Sequence, residues 1–414
     1  MSQNTNNTKN LIDIIDAHRQ EEIDFLGELV KVASDNPPGD CAPHAERAAA
    51  LLEGLGFAVE RHPVPQEAVK ANGMISATNL MVRKRFGAGG KVVALNAHGD
   101  VVPPGEGWSV DPFGAVIKDG VMYGRGVAVS KSDFATYAFA LKALEESGLV
   151  HKGAIELHLT YDEEVGGAIG PGLIVEQGLS KPDYVISAGF SYNVVVAHNG
   201  CLHLEVRVEG KSAHAARPDT GVDALEAATK LLTALYALRE RYKAAHSKVV
   251  GIDHPTLTVG LISGGINTNV VPDVVTMRID RRMIPEENPA EVERDLVAEI
   301  ERVLTAIPGI RVKTKRILLA RPFTPQPGQE VLVSALQRHA KTVMGIDIPA
   351  EGVPLYTDAR LYSAAGIPTA LYGAGPRSLL EANGHRADEK LVLDDLIKAT
   401  KVGALTLAEL LGAG

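Results

Sequence analysis

Residues 11–33 set Leu11, Ile14, Ile15, Ile23, Leu26, Leu29 and Val30 at helical spacing among charged positions, which predicts an amphipathic helix. The run DNPPGD breaks it. A second helix is expected over 44–53, with Gly54 and Gly56 as its stop. KVVALNA (91–97) is a short β-branched run that leads straight into His98-Gly99-Asp100. This is the pattern of a buried strand delivering side chains at its C-terminal end. Residues 133–146 read as helix, AIELHLTYDEE (154–164) as a strand ending in acids, and YVISA (184–188) as a third strand.

From Cys201 the order changes. LHLEVRVEG alternates as a strand, and DALEAATKLLTALYALRERY is a long amphipathic helix. TLTVGLIS and VVTMRIDRR follow as strands, AEVERDLVAEIERVL as a helix and IRVKTKRI as a strand. The sequence β-α-β-β-α-β is the split-βαβ order of a ferredoxin-like unit. Beyond about residue 315 helix and strand alternate again, up to a final helix near 390–411. The expected architecture is α/β: a mixed-sheet domain over 1–199 and 315–414, interrupted by a ferredoxin-like insert at 200–314.

A length of 414 residues exceeds one ordinary core, which agrees with two domains. The net charge of −9 argues against nucleic acid or an anionic membrane as partner. No apolar run approaches the ~18 residues of a membrane span, and the polar start MSQNTNNTKN has no signal-peptide character. Cys41 and Cys201 follow neither metal nor disulfide spacing. They read as reduced thiols, so a cytoplasmic location is expected.

Several clusters carry chemistry. His98 and Asp100, two apart at a strand end, point the same way. The carboxylate can then set the imidazole tautomer of a metal ligand. Asp162-Glu163-Glu164 precedes Val165-Gly166-Gly167; adjacent carboxylates diverge, so one can bind a metal while its neighbour moves protons. Within the insert stand Ser212-Ala213-His214, Asn269-Val270-Val271-Pro272 and Arg282. Tyr356-Thr357-Asp358 and His385 with Asp388-Glu389 follow.

In this order and spacing, from about residue 20 to 411, the motifs resemble the zinc-dependent exopeptidase and deacylase family of acetylornithine deacetylase, succinyl-diaminopimelate desuccinylase, aminoacylase and glutamate carboxypeptidase. The resemblance implies a two-metal catalytic domain and an inserted lid that makes a homodimer. It implies that His98, Glu164 and His385 are metal ligands, that Asp100 supports His98, and that Glu163 is the general base. It also implies that His214 reaches the neighbouring subunit's site to stabilise an oxyanion, and that Asn269 and Arg282 help hold a small-molecule substrate.

Two family ligands are missing. Val129, in Val127-Ala128-Val129-Ser130-Lys131, stands where the family's metal-bridging Asp belongs, and Gly189 stands where it has Glu or Asp. Two divalent cations ~3.5–4 Å apart repel by about 19 kcal/mol at a dielectric near 20, which a shared carboxylate normally offsets. One divalent transition metal per chain, manganese or zinc, is therefore expected. Asp133, one helical turn after Val129, offers a conceivable replacement ligand.

Losing a Lewis acid points to a changed substrate. The chain is similar to nitroanthranilate aminohydrolases within that family, which displace ammonia from an electron-poor ring. Tyr161, Tyr192, Tyr356 and Phe190 beside the motifs offer faces for such a ring. The alternatives are a metallo-exopeptidase or N-acyl-amino-acid deacylase, and a non-catalytic binding relative.

Overall fold

The structure is a computed structural model that describes residues 2–412, with side chains from residue 6 onward. Two compact units are present: 1–196 with 325–351 and 357–414, and 197–324 with 352–356. Among the described residues no helix is long and apolar enough to cross a membrane.

An eight-stranded mixed sheet runs in the order Val59–Pro63, Thr78–Arg85, Ala154–Thr160, Val92–His98, Tyr184–Ser187, Thr369–Leu371, Val194–His198, Ala350–Val353. Its middle is parallel: Val92–His98 pairs with Ala154–Thr160 on one side and Tyr184–Ser187 on the other, and Thr369–Leu371 continues from Tyr184–Ser187. Ala154–Thr160 is buried throughout and Val92–His98 nearly so, because helices cover both faces of such a sheet. The helix Lys131–Ser147 is buried along almost its whole length and ends at Gly148, whose φ of 61° is the left-handed stop expected there. Four parallel strands thus end on one edge, and the residues after them gather at that edge: His98, Asp162-Glu163-Glu164, Gly189 and Gly373.

The second unit is a four-stranded antiparallel sheet, ordered Thr256–Gly264, Val274–Met283, Gly200–Glu209, Arg311–Ala320. One face buries Leu202, Leu204, Val206 and Val208 against the helices Ala224–Tyr242 and Pro289–Leu304. Asp223 caps the first helix by accepting the backbone N–H groups of Leu225 and Glu226 at 2.8 and 3.0 Å. The last strand runs to Ala320, so the boundary expected at 314 cuts through it. The opening helix is also two, Ser2–Ala17 and Arg19–Val30, parted at His18.

Candidate metal and catalytic centre

His98 closes its strand with a ring only 7% exposed. Its Nδ1 lies 2.9 Å from the backbone carbonyl of Asp100. A carbonyl only accepts, so Nδ1 carries a proton, and Nε2 is the nitrogen at which a cation would take the place of a proton. The Asp100 carboxylate is fully buried and accepts from Asn36 Nδ2 at 2.9 Å. It also accepts the backbone N–H groups of Glu163 and Glu164, at 3.3 and 3.1 Å. One carboxylate therefore ties the strand end to the acidic turn 163–165.

That tie brings donors together. His98 Nε2 stands 4.0 Å from Glu163 Oε2, and ligand atoms of His98, Glu163 and Glu164 all lie within 4.8 Å of one another. His385 Nε2 is 3.7 Å from Glu164 Oε1, on a side chain more than half exposed. Its loop holds Asn383, His385 and Asp388 at positive φ (54°, 61°, 57°), a cost usually met at functional positions.

The electrostatics favour a cation. Burial raises the pKa of Asp162, Glu163 and Glu164, and neighbouring carboxylates raise them further. Burial pushes Asp358 up to about 7, with Glu163 adding to the rise. Burial works against a charged His98, but Asp100, Glu163 and Glu164 outweigh it and hold its pKa well above the usual value. Carboxylates whose ionised forms are this disfavoured gain most from a cation placed among them, and a mixed nitrogen and oxygen donor set suits a divalent transition metal.

Residues beyond the ligand candidates brace this centre, and of these Arg360 was not singled out from the sequence. Arg360 donates to the carbonyl of Gly166 and to that of Thr357, holding the turn after Glu164. Asp358 approaches Gly167 so closely that a Cβ there would meet Oδ1 at 2.3 Å, and Gly167 has φ 68°. Only glycine fits at 167. Glu389 pairs with Arg125 at 2.6 Å, both 1% exposed. It accepts the N–H groups of Gly126, Ala128 and Val129 at 3.2, 3.0 and 3.3 Å, fixing the segment that presents Val129. The Asp-x-Arg spacing at 358–360 was the available sequence signal.

Other expectations resolve differently. Tyr161 is fully buried and bonded to His44 Nδ1 at 3.0 Å; it belongs to the core and has no face for a substrate. Tyr192 donates to Asp395 at 2.6 Å and stacks under Arg377 at 3.6 Å, so its ring is engaged with the final helix and its neighbour. Asp133 accepts from Ala374 N at 2.7 Å and from the Gly189 backbone, and burial raises it to about 7. It satisfies backbone there and does not replace the missing ligand in this arrangement. A Cβ at Gly189 would lie 2.8 Å from backbone atoms of Leu371 and Tyr372, so no carboxylate side chain fits at that position.

His214, Asn269, Arg282 and Tyr356 all lie in the second unit. His214 is exposed, its Nδ1 accepting from Ala216 N at 3.1 Å. Asn269 is exposed and its carbonyl accepts from Ala215 N at 3.0 Å. Arg282 pairs with Asp280 at 2.9 Å and lies 5.9 Å from the Tyr356 ring centre.

The model for peptidase family M20/M25/M40 matches residues 94–409. This chain belongs to that family. An acetylornithine deacetylase of Edwardsiella ictaluri is 32% identical over 368 residues, covering 85% of this chain and 88% of its own. A succinyl-diaminopimelate desuccinylase of Polynucleobacter necessarius is 28% identical over 374 residues, covering 87% and 92%. Among solved structures, an M20-family metallo-carboxypeptidase of Sulfolobus solfataricus superposes with a TM-score of 0.78 at 19% identity, covering 94% of this chain and 99% of that one. This M20-family chain is thus a metal-dependent hydrolase by membership, and its mixed sheet with a separate small sheet is the family's fold.

Proposed function

We propose that this M20-family chain hydrolyses the amide C–N bond of a small N-acyl amino acid or short peptide, with one divalent transition metal held by His98, Glu164 and His385. The observation that carries the reading is the Asp100 carboxylate, which bonds both glutamate N–H groups beside a His98 at whose Nε2 a cation would take the place of a proton. A bound divalent cation supplies a Lewis acid that acidifies water and polarises an acyl oxygen. Glu163 takes the proton from the attacking water, whose oxygen bonds to the acyl carbon. It then hands that proton to the departing nitrogen, so the products are a carboxylate and an amine. Its raised pKa suits both halves of that exchange.

Val129 and the closed space at Gly189 support a single metal, and the deacylase names of the relatives support an amide substrate. Of the four rings behind the aromatic-amine reading, Tyr161, Tyr192, Tyr356 and Phe190, the first two are engaged elsewhere, and the deacetylase and desuccinylase relatives favour an amide substrate. In this proposal the chain works as a homodimer in which the exposed His214 serves the partner's site. Amine release from N-acyl amino acids and dipeptides, assayed beside ammonia release from nitroanthranilates, tests the reading. Release of ammonia from the aromatic amines, with no amide cleaved, would overturn it.

A further inference from the structure

A second donor cluster lies in the four-stranded sheet, well apart in sequence from the acidic turn. Cys201 and His203 are two apart on the strand Gly200–Glu209 and so share a face. Asp280, on Val274–Met283, is the direct cross-strand partner of His203. Cys201 Sγ is 3.1 Å from His203 Nε2, which is 3.1 Å from Asp280 Oδ2; Sγ to Asp280 Oδ1 is 3.9 Å. Cys201 forms no disulfide and is buried, whereas His203 and Asp280 keep about a third of their side chains exposed.

Two kinds of chemistry use these residue types. A nucleophilic relay places thiol and carboxylate on opposite ring nitrogens, so that the imidazole accepts from one while donating to the other. Here both partners converge on Nε2, and one nitrogen cannot accept and donate at once. Convergence on a single point is what three ligands around one ion require. With zinc bonds of about 2.3 Å to sulfur and about 2.0–2.1 Å to nitrogen or oxygen, tetrahedral ligands stand about 3.3–3.6 Å apart. His203 Nε2 stands 3.1 Å from both Cys201 Sγ and Asp280 Oδ2, and ligand atoms of all three residues lie within 4.8 Å of one another, so opening those two contacts by a few tenths of an ångström approaches this geometry.

Arg282 donates to the same carboxylate from Nε and Nη2 at 2.9 and 3.0 Å. A carboxylate offers about four acceptor positions, so the guanidinium can hold it in place while one oxygen turns to the ion.

We propose that Cys201, His203 and Asp280 form a zinc-type site that clips two neighbouring strands of the second unit, distinct from the catalytic centre. It is independent of the amide-hydrolase reading, since the cluster of His98, Glu163, Glu164 and His385 has no sulfur donor. Cobalt(II) exploits that difference. Metal-depleted full-length protein titrated with cobalt should develop a thiolate-to-cobalt charge-transfer band in the near ultraviolet, which zinc then bleaches. The band should vanish in Cys201→Ala and persist in Cys41→Ala, with circular dichroism confirming that both fold. Asp280→Asn, a gentler change, should weaken the cobalt affinity that this band reports by about tenfold or more. Absence of the band in the wild-type protein, or its survival in Cys201→Ala, would overturn the proposal.

Discussion

Glu22 provides a quantitative test of how the first unit treats a buried charge. The side chain is fully buried, and its Oε2 is without a hydrogen-bond partner. Its Oε1 meets Thr400 Oγ1, which also donates to the Leu396 carbonyl at 3.1 Å. Thr400 has one hydroxyl proton; when it goes to Leu396, Glu22 must donate, which only the neutral acid does. Burial accordingly lifts Glu22 from 4.5 to about 8, with Thr400, Arg19 and Lys401 pulling the other way. The sign follows. In the unfolded chain the group ionises above about 4.5, whereas the folded chain keeps its proton up to about 8. Its contribution to stability is therefore complete below about pH 4.5 and is lost as pH rises toward 8. The slope is about 1.4 kcal/mol per pH unit, hence about 3 kcal/mol between about pH 5 and about pH 7.5. Glu22→Gln keeps the shape and donates to Thr400 at any pH. Urea unfolding of both proteins at those two pH values, at fixed metal concentration, gives the double difference in which other titrating groups cancel. The wild type should lose about 3 kcal/mol more than the variant across that interval. Parallel pH dependences in the two proteins would refute the reasoning.

Glu163→Gln should lower kcat by about 10²–10⁴-fold while leaving the melting temperature and metal content close to wild type; steady-state amine release checks it, and near-normal turnover would remove the proton shuttle. Elemental analysis of Cys201→Ala, which lacks the second proposed site, should find about one transition metal per chain, lost on chelation together with activity; two per chain would contradict the single-metal centre. Gly189→Ala should be destabilised by about 1–3 kcal/mol because the new methyl meets the Leu371 and Tyr372 backbone at 2.8 Å, measured as a drop in denaturation midpoint. Arg360→Met leaves the Gly166 carbonyl without that donor beside an unneutralised Asp358, so both thermal stability and kcat should fall.

The strand before His98, the helix over 131–147 and the insert's β-α-β-β-α-β order were legible because each rests on local periodicity and short-range turn chemistry. The strands Val59–Pro63 and Thr78–Arg85 escaped notice: one is mostly exposed and the other ends in RKR, so neither has the buried β-branched signature. His98, Glu163, Glu164 and His385 were legible as chemistry, since His and carboxylates at the ends of strands or in glycine-rich turns are costly unless used. Tyr161 and Tyr192 misled because proximity in sequence to a motif says nothing about which way a ring points. Tyr161 leaves its strand end toward His44 and the core.

By itself the sequence determined the strongly periodic helices and the buried strands, that two units exist, and which donors were absent, because residue identity and spacing are one-dimensional facts. Only the tertiary structure decided that one buried carboxylate, Asp100, joins His98 to the acidic turn, and that Arg360 and Glu389 hold the flanking segments. It likewise decided that the backbone near Gly189 leaves no room for the lost ligand. Those outcomes depend on distances between segments tens to hundreds of residues apart, and packing sets such distances, not local propensity.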